Sequence, residues 1–251
     1  MIALGMVSNR FEQAERPYIW LSFVAHAVAA LAMIVVVREV FEGGDMLAYH
    51  NVGMIIADQF RAAPSDTAGM IVDLLVHKSE PIPIPGTLPG SSTGSMQALA
   101  ALLALLFNGS LFASTLAVAF GAFFAKLGIF SVFRRELAEL SVRAVAIPCL
   151  LLPSVVFWSS GLLKEPFAII GLGALISGAY WIANGKLSVR NVLFVVTGGL
   201  LVVAVKPHAN GARLRITAPR EVEILREELA EVERWFAQLT PVLSAEACAQ
   251  S

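Results

Sequence analysis

Apolar residues in this chain come in runs, and the polar positions fall between the runs rather than alternating within them. Residues 18–37 (YIWLSFVAHAVAALAMIVVV) form the first run, with His26 as its one strongly polar interruption. A bilayer core about 30 Å thick is crossed by about 20 residues rising 1.5 Å each, so this run predicts a membrane-spanning helix. Arg10, Arg16 and Pro17 precede it, and Arg38 and Glu39 follow. A cleavable leader has a core of only about 7–15 apolar residues, so the run reads as a retained anchor. Residues 111–133 predict a second span, closed by Arg134, Arg135 and Glu136. Residues 144–158, 167–183 and 192–205 predict three shorter ones, the first interrupted by Pro148 and Pro153. The run 96–107 has too few residues to cross and is cut from the next by Asn108-Gly109-Ser110. It predicts an interfacial helix, with a tight helical hairpin as the alternative.

The expected fold is therefore all-α, a polytopic membrane helical bundle of about 5–6 spans. Residues 1–208 make up the membrane domain, which includes a long loop at 38–95. Residues 209–251 form a charged tail, in which 220–239 predicts an amphipathic helix striped by Val222, Leu225, Leu229, Val232, Phe236 and Leu239.

Composition agrees with that reading. The chain is 57% hydrophobic and 15% charged, against about 25% charged in an ordinary soluble domain. A net charge of −1 leaves no basic field for nucleic acid. Cys149 and Cys248 are too few for a disulfide framework or a zinc cluster. Short-loop lysines and arginines set orientation. Arg134, Arg135, Arg143, Lys186 and Arg190 fall on the side of Arg10 and Arg16, which puts the N-terminus in the cytoplasm.

With that orientation, most side chains capable of chemistry collect on the outer face. Loop 38–95 contributes Glu39, Glu42, Asp45, Tyr49, His50, Asp58 and Asp66, and the turn after residue 158 contributes Ser159, Ser160, Lys164 and Glu165. Residues 45–61 have helical spacing at Ala48, Val52, Ile55, Ile56 and Phe60, suited to lying on a membrane surface. Asp45 and Tyr49, four apart, share a face of that helix. Asp45 reads either as an N-cap after Gly43-Gly44 or as a catalytic carboxylate. His50 reads as an interfacial polar residue before a ligand. Residues 79–95 (SEPIPIPGTLPGSSTGS) read as an extended linker running into a flexible one, with a mobile loop over a groove as the alternative. Lys164 can snorkel to the headgroups or hold a lipid-linked phosphate as a point charge, and Lys206-Pro207-His208 supplies a second cation at that level. At mid-membrane depth this reading finds only His26 and the Pro148/Pro153 interruption, which argues against a carrier.

GGDMLAYH at 43–50, PSVVFWSSGLLKEP at 153–166 and KPH at 206–208 together resemble the GT-C membrane glycosyltransferases, the polyprenyl-phosphate-sugar enzymes that include protein mannosyltransferase-like members of bacterial envelopes. The resemblance covers about residues 1–208. It implies an active site facing outward from the bacterial inner membrane, and a polyprenyl-phosphate-linked sugar as donor. It implies Asp45 as general base, or as a metal ligand in the branches that use a divalent ion. Tyr49, His50, Lys164, Glu165, Lys206 and His208 would be substrate-binding residues, with Lys164 and Lys206 on the donor phosphate and Glu165 orienting Lys164. The sugar, the acceptor and the metal requirement stay open. Members of the family are longer and have more spans, so the resemblance carries the expectation of a truncated member, inactive if it is a fragment. The alternatives are an envelope-polysaccharide polymerase handling lipid-pyrophosphate oligosaccharides, and a non-enzymatic structural subunit.

Overall fold

The computed structural model describes residues 11–205, all within the compact unit Met1–His208. The residues described are helical, with no strand among them. Lys206, His208 and the tail helix expected at 220–239 lie outside them.

Helix α1 (Arg16–Val35) continues through a π-helical turn, Val36–Val40, so the first apolar segment is 25 residues long. Helices α2 (Asp45–Ala62), α3 (Pro64–Leu75) and α4 (Ser92–Leu106) follow. Helix α5 (Leu111–Glu136) is the longest, at 26 residues. A broken segment comes next: α6 (Val142–Ala146), a π-helical turn at Ile147–Leu151 and α7 (Pro153–Trp158). Helices α8 (Lys164–Ala183) and α9 (Val189–Val205) complete the bundle. Among the described residues, three segments, Arg16–Val40, Leu111–Glu136 and Lys164–Ala183, are long and apolar enough to cross a membrane. Val142–Trp158 and Val189–Val205 are apolar but shorter.

The break at 147–153 has a local cause. Neither Pro148 nor Pro153 has an N–H for the helical ladder, and the residue before a proline is driven out of the helical region. Leu152, at ψ 116°, obeys that rule, while Ile147 before Pro148 stays helical at ψ −54° and the ladder widens to a π turn instead. Pro153 restarts a helix at its first turn, where the missing N–H costs nothing.

The helices run alternately through the bundle. Ile19 packs with Phe123 and Phe130, while Met33 and Val37 pack with Leu111 and Val118, so α1 and α5 are antiparallel. Gly171 meets Gly198, and Gly178 meets Asn191, so α8 and α9 form an antiparallel pair. A Cβ on Gly198 would lie 2.5 Å from the Gly171 carbonyl oxygen, and one on Gly171 would lie 2.8 Å from that of Gly198. Two facing glycines let the backbones touch, as small residues do between membrane helices.

Helices α2, α3 and α4 form a cap with its own core of Ile56, Ile71, Leu74, Ile84, Ala98 and Ala101. Gly53 is the contact point, since a Cβ there would lie 2.8 Å from Ala100. Two expectations change here. The buried stripe of α2 is Met46, Tyr49, Gly53, Ile56 and Ala57, and Ile55 is exposed. The face of α2 is thus turned toward Gly53, because only the glycine admits a neighbouring helix so closely. The segment expected as a linker at 79–95 is irregular and largely exposed as far as Gly90, but its end is packed rather than flexible. Its last residues start α4, with Ser91 capping Gly94, and buried Gln97 donates to the Gly86 carbonyl and accepts from Leu88 N–H. Both ends of α4 lie at one end of the bundle, Ser92 beside the start of α8 and Phe107–Ser110 running into the start of α5. That favours the capping arrangement over a hairpin.

Replacing Gly198 by alanine should force α8 and α9 apart and lower stability by about 1–3 kcal/mol. Thermal unfolding of the detergent-purified protein would measure it, with Gly199→Ala, where the added Cβ meets only Leu175 at 3.9 Å, as the silent control.

Candidate functional site

The cap and the start of α8 bring three pairs of polar residues together at one end of the bundle. The first pair is Asp45 and Tyr49. Gly44, at φ 109°, is the residue before α2, and Asp45 is its first helical residue and makes no cap of its own. The N-cap reading of Asp45 therefore fails: Gly44 takes the position because its φ is one that other residues rarely adopt. The Asp45 carboxylate is exposed and accepts a hydrogen bond from the Tyr49 hydroxyl at 3.3 Å. Tyr49 itself is buried against Met46, Met96 and Leu162.

The second pair is Ser92 and Thr93 in the first turn of α4, and the third is Lys164 and Glu165 in the first turn of α8. Half-buried Lys164 donates to the Ser92 hydroxyl at 3.1 Å, and no Lys164–Glu165 ion pair forms among the described residues. The Tyr49 hydroxyl lies within reach of Thr93 and within the field of both Asp45 and Glu165. Burial, then the two carboxylates, push its pKa up to about 12. Tyr49 is therefore a neutral donor to Asp45. His50, on the same helix, is half-buried beside Arg38, and burial followed by that cation lowers its pKa. Asp45, Tyr49, Lys164 and Glu165 are thus gathered at one end of the bundle, with His50 one residue beyond Tyr49. Lys206 and His208 fall outside the described residues.

For a divalent ion, Asp45 and Glu165 are the exposed carboxylates at hand. No group of three or more His, Cys, Asp or Glu side chains converges among the described residues. Among the described residues, then, these two carboxylates make no all-protein metal cage.

A second polar cluster lies between the helices, and the hydropathy reading passed over it. Lys126 sits in the body of α5 and is 3% exposed. Its Nζ meets three groups: His26 Nε2 at 3.1 Å, the Val155 carbonyl at 3.2 Å and the Ser159 hydroxyl at 2.6 Å. His26 Nδ1 lies 2.7 Å from the Ser22 carbonyl and so carries the ring proton, leaving Nε2 as an acceptor. The Ser159 hydroxyl donates to the Val156 carbonyl and so accepts from Lys126. With three acceptors around one nitrogen, the group is an ammonium using every donor it has. The signal was present in the sequence as a lysine flanked by FFA and LGIF, but one charge barely moves the average over a window of about 19 residues.

Two measurements follow. His26→Leu leaves the buried ammonium one acceptor short and should cost about 1–3 kcal/mol. Lys126→Met, which removes the charge, should cost less, and the double variant should recover most of the loss, since an isolated buried ion is worse than none. Thermal melts of the four proteins give the cycle. For Tyr49, the folded pKa near 12 exceeds the ordinary 10. The neutral phenol therefore stabilises the fold fully below pH 10, and that contribution disappears as pH rises from 10 to 12. It amounts to about 2 kcal/mol, and Tyr49→Phe should remove this segment of the pH–stability curve.

No protein family, no curated protein and no solved structure matches this chain.

Proposed function

We propose that this chain is an integral-membrane glycosyltransferase of the GT-C kind, moving a sugar from a polyprenyl-phosphate donor to an acceptor hydroxyl on the outer face of a bacterial inner membrane. The observation that carries the reading is the meeting of an exposed carboxylate, Asp45, and a half-buried ammonium, Lys164, at one end of an apolar bundle, bridged by Tyr49, Thr93 and Ser92. These residues come from segments more than 100 positions apart. In this reading the bundle crosses five times, with Val142–Trp158 and Val189–Val205 as the short spans and α2, α3 and α4 as an outer cap. The cation-rich end, with Arg134, Arg135, Lys186 and Arg190, then faces the cytoplasm.

The chemistry follows from the placement of charge. The acceptor O–H attacks the anomeric carbon while Asp45 takes its proton, so a C–O bond forms as the bond to the phosphate oxygen breaks. Tyr49, held neutral, donates to Asp45 and fixes its orientation. Polyprenyl phosphate leaves as an anion, and an ammonium stabilises the charge that develops on it. Lys164 spends one donor on Ser92, and its remaining two suit phosphate oxygens.

Asp45→Asn should lower transfer from a radiolabelled polyprenyl-phosphate sugar by at least about a hundredfold while the melting temperature stays within a degree or two. Turnover like that of the unaltered protein would end the proposal. The structural-subunit reading draws support from Lys126, a buried charge whose donors are all spent inside the protein, as in a tie between helices. Under that reading the unaltered protein binds no fluorescent polyprenyl phosphate, and Lys164→Ala changes nothing.

A further inference from the structure

Toward the end of the bundle remote from Asp45, α5 packs closely on α8 at Gly128 and Gly173 but hardly touches α9, which leaves a groove between α5 and α9. Its upper part, about 360 Å³, is floored by Gly121, Gly128 and Gly173 and walled by Phe124, Ile170 and Phe194. It opens into a wider cleft of about 620 Å³ at the helix ends, where Arg134, Arg135 and Arg190 gather around Trp181. The groove is thus apolar along its length and cationic at its mouth.

The charge at the mouth is only partly compensated. Arg134 is paired with Glu15 at 3.0 Å. The guanidinium of Arg135 and the ammonium of Lys186 both lie over the Trp181 ring, at 4.6 and 4.4 Å from its centroid. Glu136 accepts from the Tyr180 hydroxyl, and Glu12 stands at the rim. Arg135, Lys186 and Arg190 therefore outweigh the acidic groups there.

Two polar side chains lining the groove are also short of a partner among the described residues, Ser177 at its Oγ and Asn191. Asn191 is 3% exposed and lines the wall; its Nδ2 donates to the Lys186 carbonyl at 2.7 Å, which fixes the amide orientation, and its Oδ1 has no partner among the described residues. A buried carboxamide oxygen left unpaired is costly. It calls for a donor, which an ionised phosphodiester cannot supply and a hydroxylated headgroup can.

We propose that this groove binds one anionic phospholipid with a hydroxylated headgroup, of the phosphatidylglycerol class. An acyl chain lies along Phe124, Ile170 and Phe194. The phosphate sits between Arg135, Lys186 and Arg190, and a headgroup hydroxyl donates to Asn191 Oδ1. Basic pockets between membrane helices hold anionic headgroups in this way. The site is separate from the sugar-transfer reading and stands or falls without it.

The test uses the full chain in a non-ionic detergent, mixed with equimolar phosphatidylglycerol and phosphatidylcholine and weighed by native mass spectrometry. One phosphatidylglycerol should be retained over phosphatidylcholine by about tenfold or more. Arg135→Gln/Arg190→Gln should erase that preference, and Arg38→Gln/Lys78→Gln, at exposed cations elsewhere, should not. Should the groove variant fail to fold, the unaltered protein still decides: brominated phosphatidylglycerol should quench a fluorescence component that Trp181→Phe removes. Equal retention of the two lipids overturns the proposal. So does displacement by millimolar glycerol phosphate alone, which would mark a soluble-phosphate site, or a dimer that carries no lipid, which would mark a second copy as the occupant.

Discussion

An ammonium buried among apolar helices must find every acceptor it needs inside the protein, and Lys126 imposes that demand on this bundle. A charge at the centre of a bilayer costs about 2.5–3.5 kcal/mol even on the mildest scale. The three acceptors that offset it come from α1, from the last turn of α7 and from the bend that follows. Pro148 and Pro153 matter beside it, because a continuous helix would spend its carbonyls on its own ladder. In the broken segment the Leu150 carbonyl accepts from Ser22, while the Val155 carbonyl accepts from Lys126 in addition to its own ladder partner, Ser159 N–H.

That tie also bears on the opposite end of the bundle. Ser159 and Ser160, both fully buried, form the bend that leads to Lys164. Lys126 holds the near side of this bend, and the Leu162 and Phe167 side chains pack its far side against Met33, Met46 and Tyr49. The start of α8 is therefore set by packing from the cap and by hydrogen bonding from the bundle. Ser92, on α4, reaches Lys164 only because Gly53 lets α2 and α4 lie close enough for the cap to close. An exposed carboxylate and a half-buried cation are thus kept near one another by helix packing around Leu162, Phe167 and Gly53.

Much of this was legible in the order of residues. The long apolar runs and their basic ends marked α1, α5 and α8 to within a few positions, because hydropathy averaged over a span is insensitive to detail. Asp45, Tyr49, Lys164 and Glu165 stood out as polar groups at helix starts, and four of the seven expected site residues do meet. Other features were not legible. The buried face of α2 is offset from the apolar stripe because backbone approach at Gly53 outweighs side-chain hydropathy. The segment 79–95 looked like a linker because prolines, glycines and serines dominate it, yet Gln97 ties down its backbone at Gly86 and Leu88, and its last residues begin α4.

The sequence alone determined that the chain is helical and membrane-seeking, where its main apolar segments lie, and which end of each carries positive charge. Those properties depend on local composition, and every window of residues carries them. Only the tertiary structure decided that Lys126 would meet His26 and Ser159, that α4 would join the cap rather than the bundle, and that Lys164 would reach Ser92. Each of these is a contact between distant segments, governed by shape and by which donors remain unpaired, and neither quantity exists until the helices are packed.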